Sequence, residues 1–392
     1  MSQLKVNTIR HTGASSDAIT LASDGTATAK ITNNLSNRNL VVNGACIVSQ
    51  RGTANTAGNQ GYQTVDRYKL TWNGANNVLE QHQNGLGSGD TGPWEEGFRK
   101  SFYVRNGDQT ASSPADDQVV IETRLEAQEL ANSGWNYTSA SSKITLSFWV
   151  KSSVAQTFYG VLETQDGTGQ NYPFSTGSLS ANTWTKVTKT IPGHANLQFD
   201  NNANNGLQIE WHPFMGTDFT DSGVSLDTWA GAASGTRHPD MTSTWWTTDD
   251  ATFELTGVQL EVGDTATDFE HRSFTDELAR CQRYYYVAGK GAASDAESFA
   301  NGNMYNGTQM YGFIRFPTIM RANPTLKANN GTDYYRVYGG ATSDACDDIT
   351  QARVSDRGFV VAVSGNLSLT QGVGTYVRCN NASSLVAFDS EL

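Results

Sequence analysis

Short segments in which apolar and polar residues alternate are the feature that most constrains the fold of this chain. From Ile144 to Lys151 every second residue is apolar, which predicts a β-strand with one buried face. Gly206 to His212 repeats the pattern behind an Asn-Asn-Gly turn. Such strands follow one another with polar turns between them and no helical pattern. The sequence therefore predicts an all-β fold whose central domain is a jelly-roll β-sandwich.

The composition favours strands over helices. Glycine occurs 38 times in the 392 residues, aromatic residues make up 10% of the chain, and charged residues make up only 17%. Threonine and aromatic side chains favour strands, and glycines separate them with turns. This aromatic content also supplies the apolar surface that disordered chains lack. A chain of this length is expected to fold as about two or three domains.

The segment Phe253 to Val262 predicts a strand that carries a β-bulge. Its apolar residues occupy odd positions up to Leu255 and even positions from Val258 onward. A slip of one residue turns the core face of a strand outward unless an extra residue resets the register. Gly257 lies at the slip, and glycine tolerates the backbone of a bulge. Two separate short strands are the alternative interpretation.

The segment Ser273 to Tyr285 has the one firm helical pattern in the sequence. Ser273 is a capping residue, and Asp276 three positions later completes a capping-box pattern. Four apolar residues at helical spacing form a stripe, namely Phe274, Leu278, Cys281 and Tyr285. A single helix after a sandwich is expected to connect two domains or to pack along an oligomer axis.

These patterns divide the chain into four units. Residues 1–36 form an N-terminal arm, 37–272 the jelly-roll β-sandwich, 273–286 a connecting helix and 287–392 a small C-terminal β domain. The arm is too short to bury a core of its own, so it must dock on another protein or gain its core by oligomerising. We therefore expect a homotrimer with parallel axes.

The charge of the chain excludes one class of partner. The formal net charge is −12, and no run of basic residues occurs, so a nucleic-acid partner is not expected.

No apolar stretch approaches the roughly 18 residues of a membrane span, and the first ten residues lack a signal-peptide pattern. The cysteines are too scattered for a disulfide framework and are expected to be buried thiols: Cys46, Cys281, Cys346 and Cys379.

Residues that perform catalysis or bind metals are not grouped in a recognisable motif. The sequence has no GxSxG nucleophile turn and no HExxH zinc motif. Two carboxylates cleave glycosidic bonds in many hydrolases, but adjacent acidic residues on a strand point in opposite directions. The adjacent pairs are Glu95-Glu96, Asp116-Asp117 and Asp249-Asp250. The sequence therefore predicts a protein that is not an enzyme, with no catalytic residue, no metal and no cofactor.

Aromatic residues are the candidates for ligand binding, because sugars stack their apolar faces on exposed rings. The candidates for glycan binding are Trp245, Trp246, Tyr334, Tyr335 and Tyr338. Tyr334 and Tyr338 are expected to share one face of a strand. Packing in a core or at a subunit interface is the alternative for each of them. Trp149 points away from the apolar face of its own strand, which predicts that a loop or a neighbouring subunit covers it.

Three stretches of the central unit resemble tail-fibre and virion-associated proteins of marine phages, particularly those of cyanobacterial hosts. The stretches are Asn39 to Gly52 with Thr64 to Tyr68, then Thr145 to Lys151, and finally Thr256 to Tyr285. Asp17 to Gly25 resembles virion attachment arms of the same phages. Residues from Phe316 to Thr325 and the final Asp389 to Leu392 resemble C-terminal fibre domains.

The resemblance implies a jelly roll related to carbohydrate-binding modules, assembled as a homotrimer in the virion after synthesis in the host cytoplasm. It implies that the N-terminus binds a phage tail or virion adaptor protein, which leaves residues 287–392 to meet a host surface glycan or envelope receptor. The expected function is adsorption to the host cell. A passive structural or decoration protein of the virion is the first alternative, and a tailspike that depolymerises glycans is the second.

Overall fold

The computed structural model describes residues 6–14, 17–29, 37–109, 113–291 and 298–392. Strands dominate these residues, so the prediction of an all-β fold is confirmed. Their helices are short, namely α1 (Ala127–Ala131), α2 (Thr244–Thr247) and α3 (Phe274–Gln282).

The first described residues form a small antiparallel sheet. Its strands pair in the order β1-β2-β3, and they are β1 (Thr8–Ile9), β2 (Ile19–Leu21) and β3 (Ala27–Ala29). Ile9 and Leu21 expose their side chains, as do most residues around them. This sheet belongs to the predicted arm of residues 1–36, part of which lies outside the described residues.

The central unit is a sandwich of two six-stranded antiparallel sheets. Its strands are β4 (Ala54–Asn55), β5 (Lys69–Asn73), β6 (Glu80–Gly85), β7 (Lys100–Arg105), β8 (Gln118–Glu126), β9 (Lys143–Ser152), β10 (Thr157–Thr164), β11 (Gln170–Ser178), β12 (Thr185–Pro192), β13 (Asn205–Met215), β14 (Ala230–Gly231) and β15 (Thr252–Val262). The first sheet has the order β14-β11-β10-β13-β8-β5, and the second has the order β12-β9-β15-β7-β6-β4. Successive strands from β7 to β10 alternate between the sheets, so that β12-β9-β15-β7 faces β11-β10-β13-β8, the strand order of a jelly roll.

Alternating side chains fill the space between the two sheets. On β9 the predicted inward residues Ile144, Leu146, Phe148 and Val150 are all fully buried. The ring of Phe148 lies 5.6 Å from that of Trp211 on the opposite sheet, in an edge-to-face arrangement. The core of the sandwich therefore follows the period-2 pattern that the sequence shows.

The predicted bulge in β15 is confirmed. The segment is one continuous strand, and its register with β9 shifts between Thr256 and Gln259. Gly257 has a φ of 63°, which lies in the left-handed region that favours glycine. Because the extra residue resets the register, Leu255 and Val258 are both fully buried. The alternative of two separate strands is wrong.

Helix α3 begins as predicted but ends earlier. The Ser273 hydroxyl accepts a hydrogen bond of 3.2 Å from the backbone N–H of Asp276, which caps the helix. The helix ends at Gln282, and Tyr285 instead begins a strand that pairs with Asp389. The predicted stripe is therefore incomplete, and Phe274 at its start is 57% exposed.

The C-terminal unit contains two further antiparallel sheets. Its strands are β16 (Tyr285–Lys290), β17 (Ser298–Asn306), β18 (Gln309–Arg315), β19 (Thr325–Ala328), β20 (Tyr335–Gly339), β21 (Thr342–Cys346), β22 (Asp348–Val354), β23 (Gly358–Ser364), β24 (Gly374–Cys379) and β25 (Leu385–Asp389). One sheet has the order β16-β25-β19, and a seven-stranded sheet has the order β21-β20-β24-β17-β18-β23-β22. Strands β21 and β22 are the two edge strands of this sheet, yet a single residue, Asp347, connects them. Because the two edges therefore lie close together, the seven-stranded sheet must curl around its own core.

Buried ion pairs join the two units. The Arg67 side chain is 1% exposed, pairs with Glu391, and places its guanidinium 3.5 Å from the centre of the Tyr284 ring. Arg283 donates two hydrogen bonds, of 2.6 and 2.7 Å, to the buried carboxylate of Glu126. These contacts fix the C-terminal unit on the jelly roll, because a buried charge must keep its partner.

We expect Gly257→Ala to lower the free energy of unfolding by about 2–4 kcal/mol, because the new Cβ meets both an unfavourable φ and a filled space. That Cβ would lie 2.7 Å from the ring of Phe98, which is buried. Gly85→Ala in β6 is the matched control, since no atom lies within 4 Å of its Cβ position. Urea unfolding of both variants measures the difference, and equal stabilities would contradict the bulge's role.

Candidate functional site

The predicted glycan-binding residues Trp245 and Trp246 lie in the core of the jelly roll. Both are 0% exposed. The indole N–H of Trp245 donates to the carbonyl of Thr252 at 3.0 Å, and the ring of Trp246 stacks on Phe214 at 5.1 Å. Helix α2 turns both side chains inward, so neither ring reaches solvent. Their burial corrects the prediction that they bind glycan.

The predicted tyrosines of the C-terminal unit separate into buried and exposed side chains. Tyr335 is 0% exposed, and its hydroxyl lies 2.6 Å from the carbonyl of Asn329. Tyr334 precedes β20 and packs, partly buried, against the C-terminal core. Tyr338 is partly exposed on the outward face of the seven-stranded sheet. Burial therefore corrects the prediction for Tyr335, and of these three tyrosines Tyr338 is the one on the outward face.

Tyr338 stacks on a second tyrosine, Tyr376, which is not among the predicted glycan-binding residues. Strands β20 and β24 pair so that Tyr338 lies directly opposite Tyr376. The two rings are 4.8 Å apart and nearly parallel, with an interplanar angle of 3°. Tyr376 is 42% exposed. In β24 the outward residues Tyr376 and Arg378 alternate with the inward residue Val377. This alternation is the sequence signal that marks Tyr376 as a surface residue.

Further aromatic residues extend this surface across the sheet. Tyr376 is opposite Asn301 on β17, and Asn301 is opposite Phe313 on β18. Phe313 is 55% exposed. Beside it, Tyr311 stacks on Tyr305 at 5.0 Å. We call this outward surface the aromatic face, and its residues are Tyr305, Tyr311, Phe313, Tyr338 and Tyr376.

Two shallow grooves flank the aromatic face. One, of about 360 Å³, is lined by Tyr338, Tyr376 and the turn between β20 and β21. The other, of about 400 Å³, is lined by Phe313, Ile319 and two arginines, Arg315 and Arg357. Grooves lined by rings and polar groups suit a chain-like ligand that lies along the surface.

Polar side chains lie between the rings. The Arg378 guanidinium is 5.0 Å from the centre of the Tyr338 ring, within the range of a cation–π contact. Arg336 donates to the amide oxygen of Asn380 at 3.2 Å and to the Ser343 hydroxyl at 3.4 Å. The surface therefore offers flat apolar rings and hydrogen-bond donors side by side.

A separate cluster of charges lies on the outer face of the first jelly-roll sheet. Arg237 donates to Glu163 at 2.7 Å and also pairs with Glu210, so its guanidinium bridges the two carboxylates. Burial raises the pKa of Glu163. His212 is fully buried beside Arg237, and burial followed by that positive charge holds the pKa of His212 well below its usual value. The guanidinium and the two carboxylates of this cluster bind one another, and we call these three side chains with His212 the closed charge cluster.

The predicted acidic pairs are distributed over separate parts of the jelly roll. Glu96 accepts hydrogen bonds from Lys186 at 2.9 Å and from the indole of Trp149 at 3.0 Å. The loop that carries Gly92 and Glu96 therefore covers Trp149, as its position on the strand predicts. Asp117 is buried, whereas Asp249 is exposed.

The described residues contain neither a cluster of metal ligands nor a membrane-spanning helix. No three His, Cys, Asp or Glu side chains of the described ranges are grouped to hold a metal ion. In the same ranges, no helix has both the length and the apolar character to cross a membrane. All four cysteines are buried thiols, as the sequence predicts.

No protein-family model matches the chain, and no curated protein sequence matches it. Among solved structures, the enzymatically active domain of tailspike protein 4 from bacteriophage CBA120 aligns at 12% identity with a TM-score of 0.30. The alignment covers 57% of this chain and only 21% of the tailspike chain.

Carbohydrate-binding domains give similar scores. The C-terminal family 22 carbohydrate-binding module of Clostridium thermocellum Xyn10B aligns at 12% identity and a TM-score of 0.28, over 53% of this chain and 93% of the module. The N-terminal cellulose-binding domain of Cellulomonas fimi β-1,4-glucanase C aligns at 12% identity and a TM-score of 0.27, over 56% of this chain and 99% of that domain. Identities and TM-scores this low do not identify a family.

We expect acid to destabilise the protein in part through His238, which is 0% exposed and stacks on Tyr159 at 4.8 Å. Burial, followed by the neighbouring His212, lowers the pKa of His238 from 6.5 to about 3. Below pH 6.5 the unfolded chain therefore takes up a proton that the folded chain excludes, and stability falls as the pH falls. His238→Gln should make this fall shallower by about 1 kcal/mol per pH unit.

Chemical denaturation between pH 7 and pH 4 measures this slope. His194→Gln, at a partly exposed position, is the histidine control whose pH profile is measured beside that of His238→Gln. Parallel pH profiles for the wild type and His238→Gln would contradict the expectation.

Proposed function

We propose that this chain is a non-catalytic tail-fibre subunit of a phage particle that attaches to the host cell by binding surface glycan on the aromatic face. The observation that carries the proposal is the pair of stacked tyrosines, Tyr338 and Tyr376, on the exposed side of the C-terminal sheet. Sugar rings pack their C–H faces on aromatic rings, and their hydroxyl oxygens accept hydrogen bonds from nearby donors.

Ring stacking prepares this surface for a ligand. Each tyrosine of the pair restricts the rotation of the other, so little side-chain entropy remains to be lost on binding. The same holds for Tyr305 and Tyr311. Three of the four strongly exposed aromatic side chains of the described residues, Tyr305, Phe313 and Tyr376, lie on this one face, and the fourth is Phe274. Such a concentration supports a binding surface over chance exposure.

The closed charge cluster supports a role without catalysis. A glycosidase needs one carboxylate to donate a proton and another to act on the sugar or on water. In this protein Arg237 bridges Glu163 and Glu210, and Lys186 pairs with Glu96. These carboxylates are engaged in ion pairs, whereas the aromatic face presents exposed rings beside the side chains of Arg336 and Arg378.

The position of the aromatic face supports the proposed role of the C-terminal unit. It lies within residues 287–392, at the opposite end of the chain from the arm that we propose binds a phage tail or virion adaptor protein. A fibre that is anchored by its arm presents its other end to the host. Several linked copies would raise the effective concentration for each further contact, so that a modest affinity per subunit is sufficient.

We expect Tyr338→Ala with Tyr376→Ala to weaken glycan binding about tenfold or more, as the loss of a central aromatic contact does in other interfaces. The measurement is binding of the labelled full-length protein to an array of bacterial surface polysaccharides. Phe274→Ala is the control, because Phe274 is also an exposed aromatic residue but lies on α3. The proposal fails if no glycan on the array retains the wild type, or if both variants bind as it does.

We also expect a homotrimer, because the exposed Ile9 and Leu21 of the N-terminal sheet require a partner to be buried. Light scattering should give a mass three times that of the 42.4 kDa chain. Leu21→Asp should shift the protein toward a smaller species by placing a charge in that contact. A monomer of the wild type at micromolar concentration would contradict the assembly.

A further inference from the structure

Five arginines on and beside the seven-stranded sheet have no acidic partner among the residues that the structure describes. Elsewhere in the chain, arginines such as Arg67, Arg237 and Arg283 form ion pairs. An ion pair requires a nitrogen–oxygen distance of 4.0 Å or less. Within the described ranges, no carboxylate oxygen lies that close to the guanidinium nitrogens of five arginines of the C-terminal unit. These arginines are Arg315, Arg336, Arg353, Arg357 and Arg378. In a chain of net charge −12, unpaired cations concentrated on one surface need an explanation.

Two of these arginines face each other across paired strands. Arg336 on β20 lies directly opposite Arg378 on β24. This pair is two residues along each strand from the pair Tyr338 and Tyr376, so both pairs lie on the same face of the sheet. Like charges at directly opposed positions destabilise a sheet. Arg336 donates to the neutral side chains of Asn380 and Ser343, and Arg378 lies over the Tyr338 ring. The arrangement therefore costs stability that a bound anion would restore.

The second groove repeats this chemistry. Arg315 and Arg357 line it together with the exposed side chains of Phe313 and Ile319. Arg315 and Phe313 are two residues apart on β18, so both point outward. Rings and guanidinium groups thus alternate over the surface from one groove to the other.

We propose that the ligand of the aromatic face is an acidic polysaccharide. Its carboxylate, phosphate or sulfate groups bind Arg336 and Arg378, while its sugar rings pack against Tyr338 and Tyr376. Guanidinium groups bind oxyanions through two parallel N–H donors, which an uncharged sugar cannot match. The proposal rests on the proposed function and adds the class of glycan to it.

Three dextrans with the same backbone test the charge requirement. The full-length protein is measured by biolayer interferometry against dextran, carboxymethyl dextran and dextran sulfate, of which the first is neutral and the others carry carboxylates and sulfates. We expect both anionic polymers to bind at least about tenfold more tightly than dextran, the effect of one charged hydrogen bond. The ratio between them identifies which anion the arginines prefer.

Matched substitutions then locate the binding. Arg336→Gln with Arg378→Gln should reduce binding of the anionic polymers at least about tenfold. Arg99→Gln with Lys143→Gln removes the same charge from exposed positions of the jelly roll and should change binding less than about twofold. Removing two opposed positive charges should leave the arginine variant at least as stable as the wild type, which thermal unfolding verifies.

Some results would overturn the whole inference, and others would overturn one part of it. One is equal binding of all three dextrans, and another is no binding of either anionic polymer. If the arginine variant dissociates the oligomer in light scattering, the arginines bind an acidic surface of a second copy instead. If the wild type binds all three dextrans equally and Tyr338→Ala with Tyr376→Ala abolishes that binding, the proposed glycan function stands without the charge preference. If only the arginine variant loses binding, the anion site stands and the stacking role of the tyrosines fails.

Discussion

The buried ion pairs between the jelly roll and the C-terminal unit determine where every other surface of the molecule lies. Arg67 has almost no contact with solvent, so losing Glu391 would leave an uncompensated charge at a cost of about 3–5 kcal/mol. Arg51 adds ion pairs to Asp66 and Glu391 and lies 3.6 Å over the ring of Tyr285. Asp389 and Glu391 thus pack against the jelly roll, and the jelly roll and the C-terminal unit are held in one fixed orientation.

This orientation leaves the curled C-terminal sheet with one covered side. Its inner side holds Met304, Val361 and Val377 in a closed core, whereas its outer side carries the aromatic face. Because successive residues of a strand alternate between the two sides, the packing of the core also dictates which residues reach solvent. A single geometric rule therefore produces both the stability of this unit and the composition of its exposed surface.

The jelly roll has the opposite arrangement. Its first sheet carries more charge on the outer side than the C-terminal sheet does, yet Glu210 and His212 are buried there and Arg237 occupies the space between the carboxylates. The two outer surfaces thus differ. On the jelly roll the acidic and basic side chains of the cluster neutralise one another, whereas on the C-terminal sheet the arginines lie beside exposed rings.

The sequence by itself determined the all-β fold, the inward face of β9, the bulge at Gly257 and the cap at Ser273, because each depends on residues within one segment. It did not determine which aromatic residues are exposed. Trp245 and Trp246 look like surface aromatics in the sequence but are buried, and Tyr376 acquires its partner only through the pairing of β20 with β24. Pairing between strands distant along the chain is decided by the packing of the whole fold, and only the tertiary structure brings Tyr338, Tyr376, Arg336 and Arg378 together.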